Sequence, residues 1–135
     1  MAKILKVNHI GIVVPEIEGA LCFWRDGLGL KLDHVEDIPS QKSRVAFFPL
    51  GESEVELVQP TTTDTGAAKF LSERGPGMHH LCFEVDDIEG MILNLKINGI
   101  RMINETPLQL EDRLAAFVHP KSANGVLIEL YQTIS

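Results

Sequence analysis

The spacing of hydrophobic positions changes along this chain, and each change predicts a new element of secondary structure. Residues 7–14 form a largely β-branched run that ends at Pro15, which predicts a strand leading into the first turn of a helix. Apolar side chains then recur at helical spacing from Ile17 to Leu28, and the glycines on either side of Leu28 supply a stop. Gly51 turns the last two of the strand patterns that follow into a hairpin. These predicted strands lie at residues 30–36, 43–50 and 53–59.

The second half of the chain repeats this order of elements. A shift of 71 positions carries the first strand and the helix start onto their counterparts and takes His9 to His80, while a shift of 73 takes Glu56 to Glu129. The predicted elements of this half are a strand at 78–85, a helix that Asp86 or Asp87 caps and Gly99 ends, and strands near 100–104, 112–119 and 125–132. We therefore expect two tandem βαβββ modules, at about residues 5–60 and 77–133, joined by a segment with a short helix at 65–74.

Composition narrows the class of protein. A chain of 135 residues with 44% hydrophobic residues is expected to form one domain, residues 1–135, with a proper core. Its net charge of −7 argues against nucleic acid as a partner, and it has no apolar run long enough to cross a membrane. The N-terminal residues read as a strand and not as a targeting segment, and Cys22 and Cys82 are expected to be reduced core residues. We therefore expect a cytoplasmic protein.

One histidine and one glutamate occupy matching strand positions in each module. His9 and His80 lie in the first strands, and Glu56 and Glu129 lie in the last strands, each flanked by apolar residues. Because successive side chains of a strand point to opposite faces, the other face can pack on the helices while these four line a concave cavity. A carboxylate buried in such a strand costs several kcal/mol or more without a partner, and a cation would supply one.

The chemistry of these side chains predicts the kind of ion. Imidazole nitrogen and carboxylate oxygen suit a borderline divalent metal, namely cobalt, nickel, zinc or manganese. Four protein ligands in a six-coordinate shell leave two adjacent positions for a chelating substrate, which is typical of a catalytic site. We therefore predict His9, Glu56, His80 and Glu129 as the ligands of one divalent metal ion.

Three stretches of the chain resemble the methylmalonyl-CoA epimerase family of the vicinal oxygen chelate (glyoxalase/bleomycin resistance/dioxygenase) superfamily. They are Asn8–Pro15, Gly77–Asp87, and the block that runs from His119–Ser122 into Gly125–Leu130. The resemblance implies an α+β fold, in which the two modules form a curved mixed sheet around a metal-binding cleft. It also implies a homodimer and cobalt as the first candidate metal.

The implied activity is the interconversion of (R)- and (S)-methylmalonyl-CoA. The α-hydrogen of this acyl-CoA thioester lies between two carbonyl groups, so a metal that chelates both would stabilise the enolate formed when the proton leaves. Glu129 matches the residue that the family uses as both ligand and base. Some relatives place a second glutamate where this chain has Val45, so the acid on the opposite face has no counterpart here. Glu36, Glu111 and Asp112 are nearby by topology and are interpreted as solvated charges.

Several other polar residues have less certain interpretations. Lys121 is either a contact for a coenzyme A phosphate or a surface lysine, and Arg44 is a candidate contact for the substrate carboxylate. His79, next to His80, is interpreted as structural or as a neighbour of the ligands, and His34 and His119 as non-ligands.

Two alternative functions are consistent with parts of the pattern. A glyoxalase I-like lactoylglutathione lyase would use the same histidines and glutamates, and the missing second glutamate favours it, while the block from His119 to Ser122 argues against it. A metal-free protein that binds a small molecule, such as an antibiotic, is expected to have lost the ligand positions, which this chain keeps.

Overall fold

The computed structural model describes residues 2–134, and the order of elements predicted twice from the sequence is present. Contacts between Cα atoms divide the chain into two compact units. One comprises the residues up to His9 together with those from His80 onward, and the other comprises Ile10–His79. The strands are β1 (Ile4–Val13), β2 (His34–Ile38), β3 (Ser43–Leu50), β4 (Ser53–Pro60), β5 (Gly77–Val85), β6 (Leu108–Gln109), β7 (Arg113–Val118) and β8 (Leu127–Thr133). The helices are α1 (Ile17–Leu21), α2 (Gly66–Arg74) and α3 (Ile88–Ile97).

The strands belong to one eight-stranded mixed sheet, in the order β2-β3-β4-β1-β5-β8-β7-β6. The pairing repeats with the sequence: β1 runs parallel to β4, and β5 runs parallel to β8. Four further pairs are antiparallel, namely β2 with β3, β3 with β4, β6 with β7 and β7 with β8. The predicted α+β class with two βαβββ repeats in a mixed sheet is confirmed. The prediction that residues 1–135 form one domain, with modules at about 5–60 and 77–133, stays a prediction.

In the unit Ile10–His79, helix α1 covers one face of the sheet and helix α2 covers part of the other. The α1 cluster contains Val14, Ile17, Leu21, Ala46, Phe48 and Leu57. On the opposite face, Val13, Val45 and Val58 pack against Phe70 and Leu71 of α2. Thr65 caps α2 by accepting a hydrogen bond from the Ala68 amide at 3.1 Å.

In the other unit, helix α3 packs on the face of the sheet formed by alternate residues of β5, β7 and β8. This cluster contains Val85, Ile88, Ile92, Ala116, Val118 and Leu130. Asp87 caps α3, since its carboxylate accepts a hydrogen bond from the Gly90 amide at 3.0 Å. The other face of the same strands therefore points away from α3, and it carries the polar residues discussed below.

The duplication extends to one hydrogen bond that ties each helix to the last strand of its repeat. The side-chain oxygen of Gln59 accepts from the Ile17 amide at 2.9 Å, and that of Gln132 accepts from the Ile88 amide at 2.7 Å. The first amide groups of a helix have no partner within the helix, so each glutamine supplies one. Both glutamines lie three residues after the glutamate of their repeat.

Some local predictions were wrong. The first helix leaves α-helical geometry after Leu21 and continues as a π-helix over Cys22–Gly27, which leaves Cys22 exposed and not in the core. The strand expected at 30–36 begins only at His34, and the one expected near 100–104 is a single bridge from Met102 to Val118. The apolar spacing from Ile88 to Ile97 predicts that Ile97 faces the core, but it is 74% exposed because it lies on the outer side of α3.

Within residues 2–134, no helix combines the length and the apolar character that a membrane span requires.

Candidate metal centre and active site

Three of the four predicted ligands, His9, His80 and Glu129, lie in the same compact unit. They come from β1, β5 and β8. The parallel register of β5 and β8 pairs Cys82 with Glu129, so these two side chains are neighbours on one face. Leu130, the residue after Glu129, packs into the α3 cluster. Alternation along the strand therefore directs Glu129 to the face away from α3.

The reactive atoms of these residues converge on the ring of His9. Its Nε2 atom lies 3.1 Å from Nε2 of His80 and 3.5 Å from Oε1 of Glu129. His9 is only 5% exposed and Glu129 only 6%, while His80 is half-buried. The convergence predicted from the repeat therefore occurs for these three side chains.

The neighbours of His9 determine which of its ring nitrogens carries a proton. The Nδ2 atom of Asn8 lies 3.4 Å from Oε1 of Glu84. The Oδ1 atom of Asn8 lies 2.8 Å from Nδ1 of His9. A carboxylate only accepts hydrogen bonds, so the amide nitrogen of Asn8 faces Glu84 and its oxygen faces the ring. Nδ1 of His9 must then be the donor. In the neutral ring, the lone pair of Nε2 consequently points toward Glu129 and His80.

The electrostatic environment keeps Glu129 ionised. Burial by itself raises the pKa of this carboxyl. In the metal-free protein, the hydrogen bond that His9 donates when its ring is protonated, the charges of protonated His9 and His80, and the charge of Arg113 outweigh burial, so the pKa lies below its ordinary value. An anionic oxygen and an imidazole lone pair that face each other at 3.5 Å repel unless a proton or a cation lies between them.

Cys82 is a further metal-binding side chain that was interpreted from the sequence only as a core residue. Its sulfur, one ring nitrogen of His9 and one carboxylate oxygen of Glu129 all lie within 4.8 Å of one another, and Cys82 is fully buried. Imidazole nitrogen, carboxylate oxygen and thiol sulfur are all ligands of borderline divalent metals. The donor set of this unit therefore fits such an ion. The sequence signal was the spacing of two from His80, which places both on one face of β5.

Glu56 belongs to the unit Ile10–His79. It lies half-buried on β4, where its Cα partners are Gly11 of β1 and Phe47 of β3. Its neighbours Val55 and Leu57 belong to the face that packs on α1, so Glu56 points to the opposite face. Its role as a ligand stays a prediction.

Other polar residues of the unit Ile10–His79 have partners of their own. Arg44 donates a hydrogen bond to Glu18 at 2.5 Å and lies 3.7 Å from Asp37. Val45, at the position of the second glutamate of some relatives, is 2% exposed in the cluster beneath α2. The ring of His79 meets the ring of Phe70 edge-on at 5.2 Å. Burial and the charge of Arg74 lower the pKa of His79.

Comparison with known protein families identifies the superfamily. Residues 8–117 match the model of the glyoxalase/bleomycin resistance protein/dioxygenase superfamily. The chain belongs to this superfamily. The match spans β1 to β7 and includes His9, Glu56 and His80.

Individual relatives are epimerases. The mitochondrial methylmalonyl-CoA epimerase of Mus musculus is 36% identical over 132 residues, which cover 96% of this chain and 74% of the mouse protein. The crystal structure of methylmalonyl-CoA epimerase from Mycobacterium tuberculosis has a TM-score of 0.85 at 32% identity and covers 98% of this chain and 90% of that one. A variant of the Streptomyces coelicolor epimerase in complex with 2-nitronate-propionyl-CoA has a TM-score of 0.86 at 27% identity, covering 98% and 97%.

These comparisons confirm the resemblance inferred from the sequence motifs. This protein is an enzyme that is similar to methylmalonyl-CoA epimerases, as predicted. The relatives support epimerase activity and an acyl-CoA substrate.

Proposed function

We propose that this enzyme interconverts (R)- and (S)-methylmalonyl-CoA with one divalent metal ion, of which cobalt is the first candidate. We propose His9, Glu56, His80 and Glu129 as the residues that hold the ion. The observation that carries the proposal is the convergence of His9, His80 and Glu129 in a chain whose relatives include methylmalonyl-CoA epimerases. A homodimer stays a prediction.

The substrate has one weakly acidic C–H bond. Its α-carbon lies between a thioester carbonyl and a carboxylate, so removal of the proton gives a carbanion delocalised over both groups. A divalent ion in this site supplies Lewis-acid polarisation of the substrate oxygens. The nitronate ligand of the Streptomyces coelicolor complex supports this chemistry, since a nitronate carbon is planar and its negative charge lies on oxygen, as in an enolate.

Glu129 is the residue proposed to take the α-proton. It is buried, its carboxyl has a lowered pKa, and it is therefore ionised at neutral pH, which is the state a general base requires. Burial removes competing water from its oxygens, and His9 restrains one of them. Inversion also needs a proton donor on the opposite face of the carbanion.

The coenzyme A part of the substrate carries phosphates that need cations. Lys121 lies in the turn after β7, where its amide donates a hydrogen bond to His119 Nδ1 at 3.0 Å. The pKa of His119 is lowered by desolvation of its ring and by the positive charges of Arg101 and Lys121. Both cations therefore lie near this ring. We propose Lys121 as a contact for these phosphates.

The test measures proton exchange in deuterated water. Metal-loaded wild type should introduce deuterium at the α-carbon of methylmalonyl-CoA and interconvert its epimers, and removal of the metal by a chelator should stop both. Glu129→Gln should lower the rate by at least about 100-fold, which is the lower range for loss of a general base. Glu73→Gln, an exposed change on α2, is the matched control and should exchange like wild type.

Two further outcomes would overturn parts of the proposal. Full activity of Glu129→Gln would show that another group takes the proton. Formation of lactoylglutathione from the glutathione hemithioacetal, without exchange of methylmalonyl-CoA, would instead assign the site to a glyoxalase I-like lyase.

For Glu56, we expect Glu56→Gln to keep part of the metal affinity because an amide oxygen still coordinates. Wild-type affinity in Glu56→Ala would exclude it as a ligand.

A further inference from the structure

Arg113 lies on the same face of the sheet as Glu129. The antiparallel register of β7 and β8 pairs Phe117 with Glu129 and Ala115 with Tyr131, and Arg113 precedes Ala115 by two residues. Side chains two apart share a face, so these five residues lie on the face that points away from α3. The residues between them on β7, such as Ala116, belong to the α3 cluster, which confirms the orientation.

The guanidinium of Arg113 is held against an aromatic ring. Its central carbon lies 5.0 Å from the ring centroid of Tyr131, which is within the range of a cation–π contact. Tyr131 follows Glu129 by two residues on β8, so this contact brings the positive charge along the shared face toward Glu129.

The charge of Arg113 is only weakly compensated. Its Nε atom is buried and has no hydrogen-bond partner among residues 2–134. Among the described residues, Asp112 is the acidic group within salt-bridge range, at 4.0 Å, and its side chain is 70% exposed. A buried donor without an acceptor is destabilising, so a ligand that supplies an acceptor there gains from the contact.

The other arginines with described contacts are committed elsewhere. Arg44 binds Glu18 and Asp37, Arg25 binds Asp26, and Arg74 stacks on Phe70. Arg44 had been the candidate for the substrate carboxylate, and its ion pairs make it a poorer one than Arg113.

We propose that Arg113 binds the carboxylate of the substrate and makes the site selective for acyl-CoA thioesters that carry a second, α-carboxylate group. This inference rests on the proposed function, since it concerns the same site. The planar fork of an arginine matches the two oxygens of a carboxylate and forms strong, charge-assisted hydrogen bonds. Tyr131 acts as a positioning residue that holds the guanidinium in place.

The experiment compares two ligands that differ only in this carboxylate. Propionyl-CoA has the same thioester and the same α-carbon and methyl group as methylmalonyl-CoA, but it carries a hydrogen atom in place of the carboxylate. Their equilibrium affinities for metal-loaded protein are measured by calorimetry. We expect Arg113→Gln to lower the affinity for methylmalonyl-CoA by about 10- to 100-fold, which is the range for hydrogen bonds to charged groups. The affinity for propionyl-CoA should not change.

Further variants separate recognition from folding. Arg113→Lys keeps the charge but loses the fork, so it should recover only part of the affinity. Tyr131→Leu should raise KM for methylmalonyl-CoA more than it lowers kcat, because it loosens the arginine without changing Glu129. Arg25→Gln removes an exposed arginine whose partner is Asp26, and it should bind both ligands like wild type.

The outcomes distinguish this inference from the proposed function. If wild type epimerises methylmalonyl-CoA but Arg113→Gln binds it equally well, Arg113 does not hold the carboxylate. Equal losses for both ligands in a folded Arg113→Gln would also overturn the inference. If wild type neither binds nor epimerises methylmalonyl-CoA, the proposed function itself fails.

Discussion

Asn8 is expected to set the metal affinity of this site without touching the metal. It bridges Glu84 and His9, and it accepts the hydrogen bond of His9 Nδ1 at 2.8 Å. This contact keeps the proton on Nδ1 and leaves Nε2 as the ligand atom. Asn8→Ala removes the acceptor, so His9 can place its proton on either nitrogen and its ring can turn.

The size of the effect follows from two magnitudes. A hydrogen bond between uncharged groups contributes about 0.5–1.5 kcal/mol, which corresponds to a factor of about 2 to 12 in an equilibrium constant. Residues that orient a metal-binding histidine change metal affinity by about 10- to 100-fold when they are replaced. Because the Asn8 amide is neutral, we expect Asn8→Ala to weaken metal binding by about tenfold.

The assay is a competition with a chelator of known affinity, monitored for cobalt and zinc. Asn94→Ala, which replaces an exposed asparagine on α3, is the control and should bind metal like wild type. Nitrogen-15 spectra of the metal-free protein supply a second measurement, since wild type should show His9 protonated on Nδ1 and Asn8→Ala a mixture. Unchanged affinity together with an unchanged His9 tautomer would refute the reasoning.

Three further predictions concern the same unit. We expect Cys82 to be a ligand in addition to the four proposed, because its sulfur lies within 4.8 Å of donor atoms of His9 and Glu129. Cobalt(II) should therefore give a thiolate-to-cobalt absorption in the near ultraviolet with wild type but not with Cys82→Ser. Identical spectra would exclude Cys82 as a ligand. Gln132→Ala should lower the free energy of unfolding by about 1–2 kcal/mol in urea titrations, since the buried Ile88 amide loses its acceptor. The exposed Gln109→Ala is its control, and equal losses would contradict the assignment. In metal-free protein, the lowered pKa of Glu129 stabilises the fold above pH 4.5, and this contribution is lost as the pH falls below 4.5 through the folded-state pKa. Wild type should therefore lose stability in acid more steeply than Glu129→Gln, and parallel curves would show that the pKa is not lowered.

The repeat was the strongest structural information in the sequence. Matching His9 with His80 and Glu56 with Glu129 implied equivalent strands, and the parallel pairs β1–β4 and β5–β8 have equivalent registers. Alternation along each strand then predicted which side chains share a face. The cap of α3 was also readable locally as Asp86 or Asp87, because a cap depends on residues only three positions away, and Asp87 supplies it.

Local pattern was a poorer guide where tertiary packing overrides propensity. Residues 30–33 alternate apolar and charged side chains as a strand does, but the Leu30 amide donates a hydrogen bond to the carbonyl of Trp24. Asp33 makes one backbone hydrogen bond to Phe47, so regular strand pairing begins only at His34. Residues 100–104 form only the bridge at Met102. The helical spacing that continues through Trp24 did not reveal the π-helix, since a shift from four to five residues per hydrogen bond leaves the apolar positions nearly unchanged.

The amino-acid sequence alone was sufficient to predict the repeated order of elements, the face on which each polar side chain lies, and four candidate ligands. Only the tertiary structure brought Asn8 to His9 and Glu84, Cys82 beside Glu129, and Arg113 over Tyr131. The physical reason is that period and composition are local properties of one strand. Which side chains meet depends instead on the register between strands that are distant in sequence, and hydrogen bonds and ion pairs act only over a few ångströms.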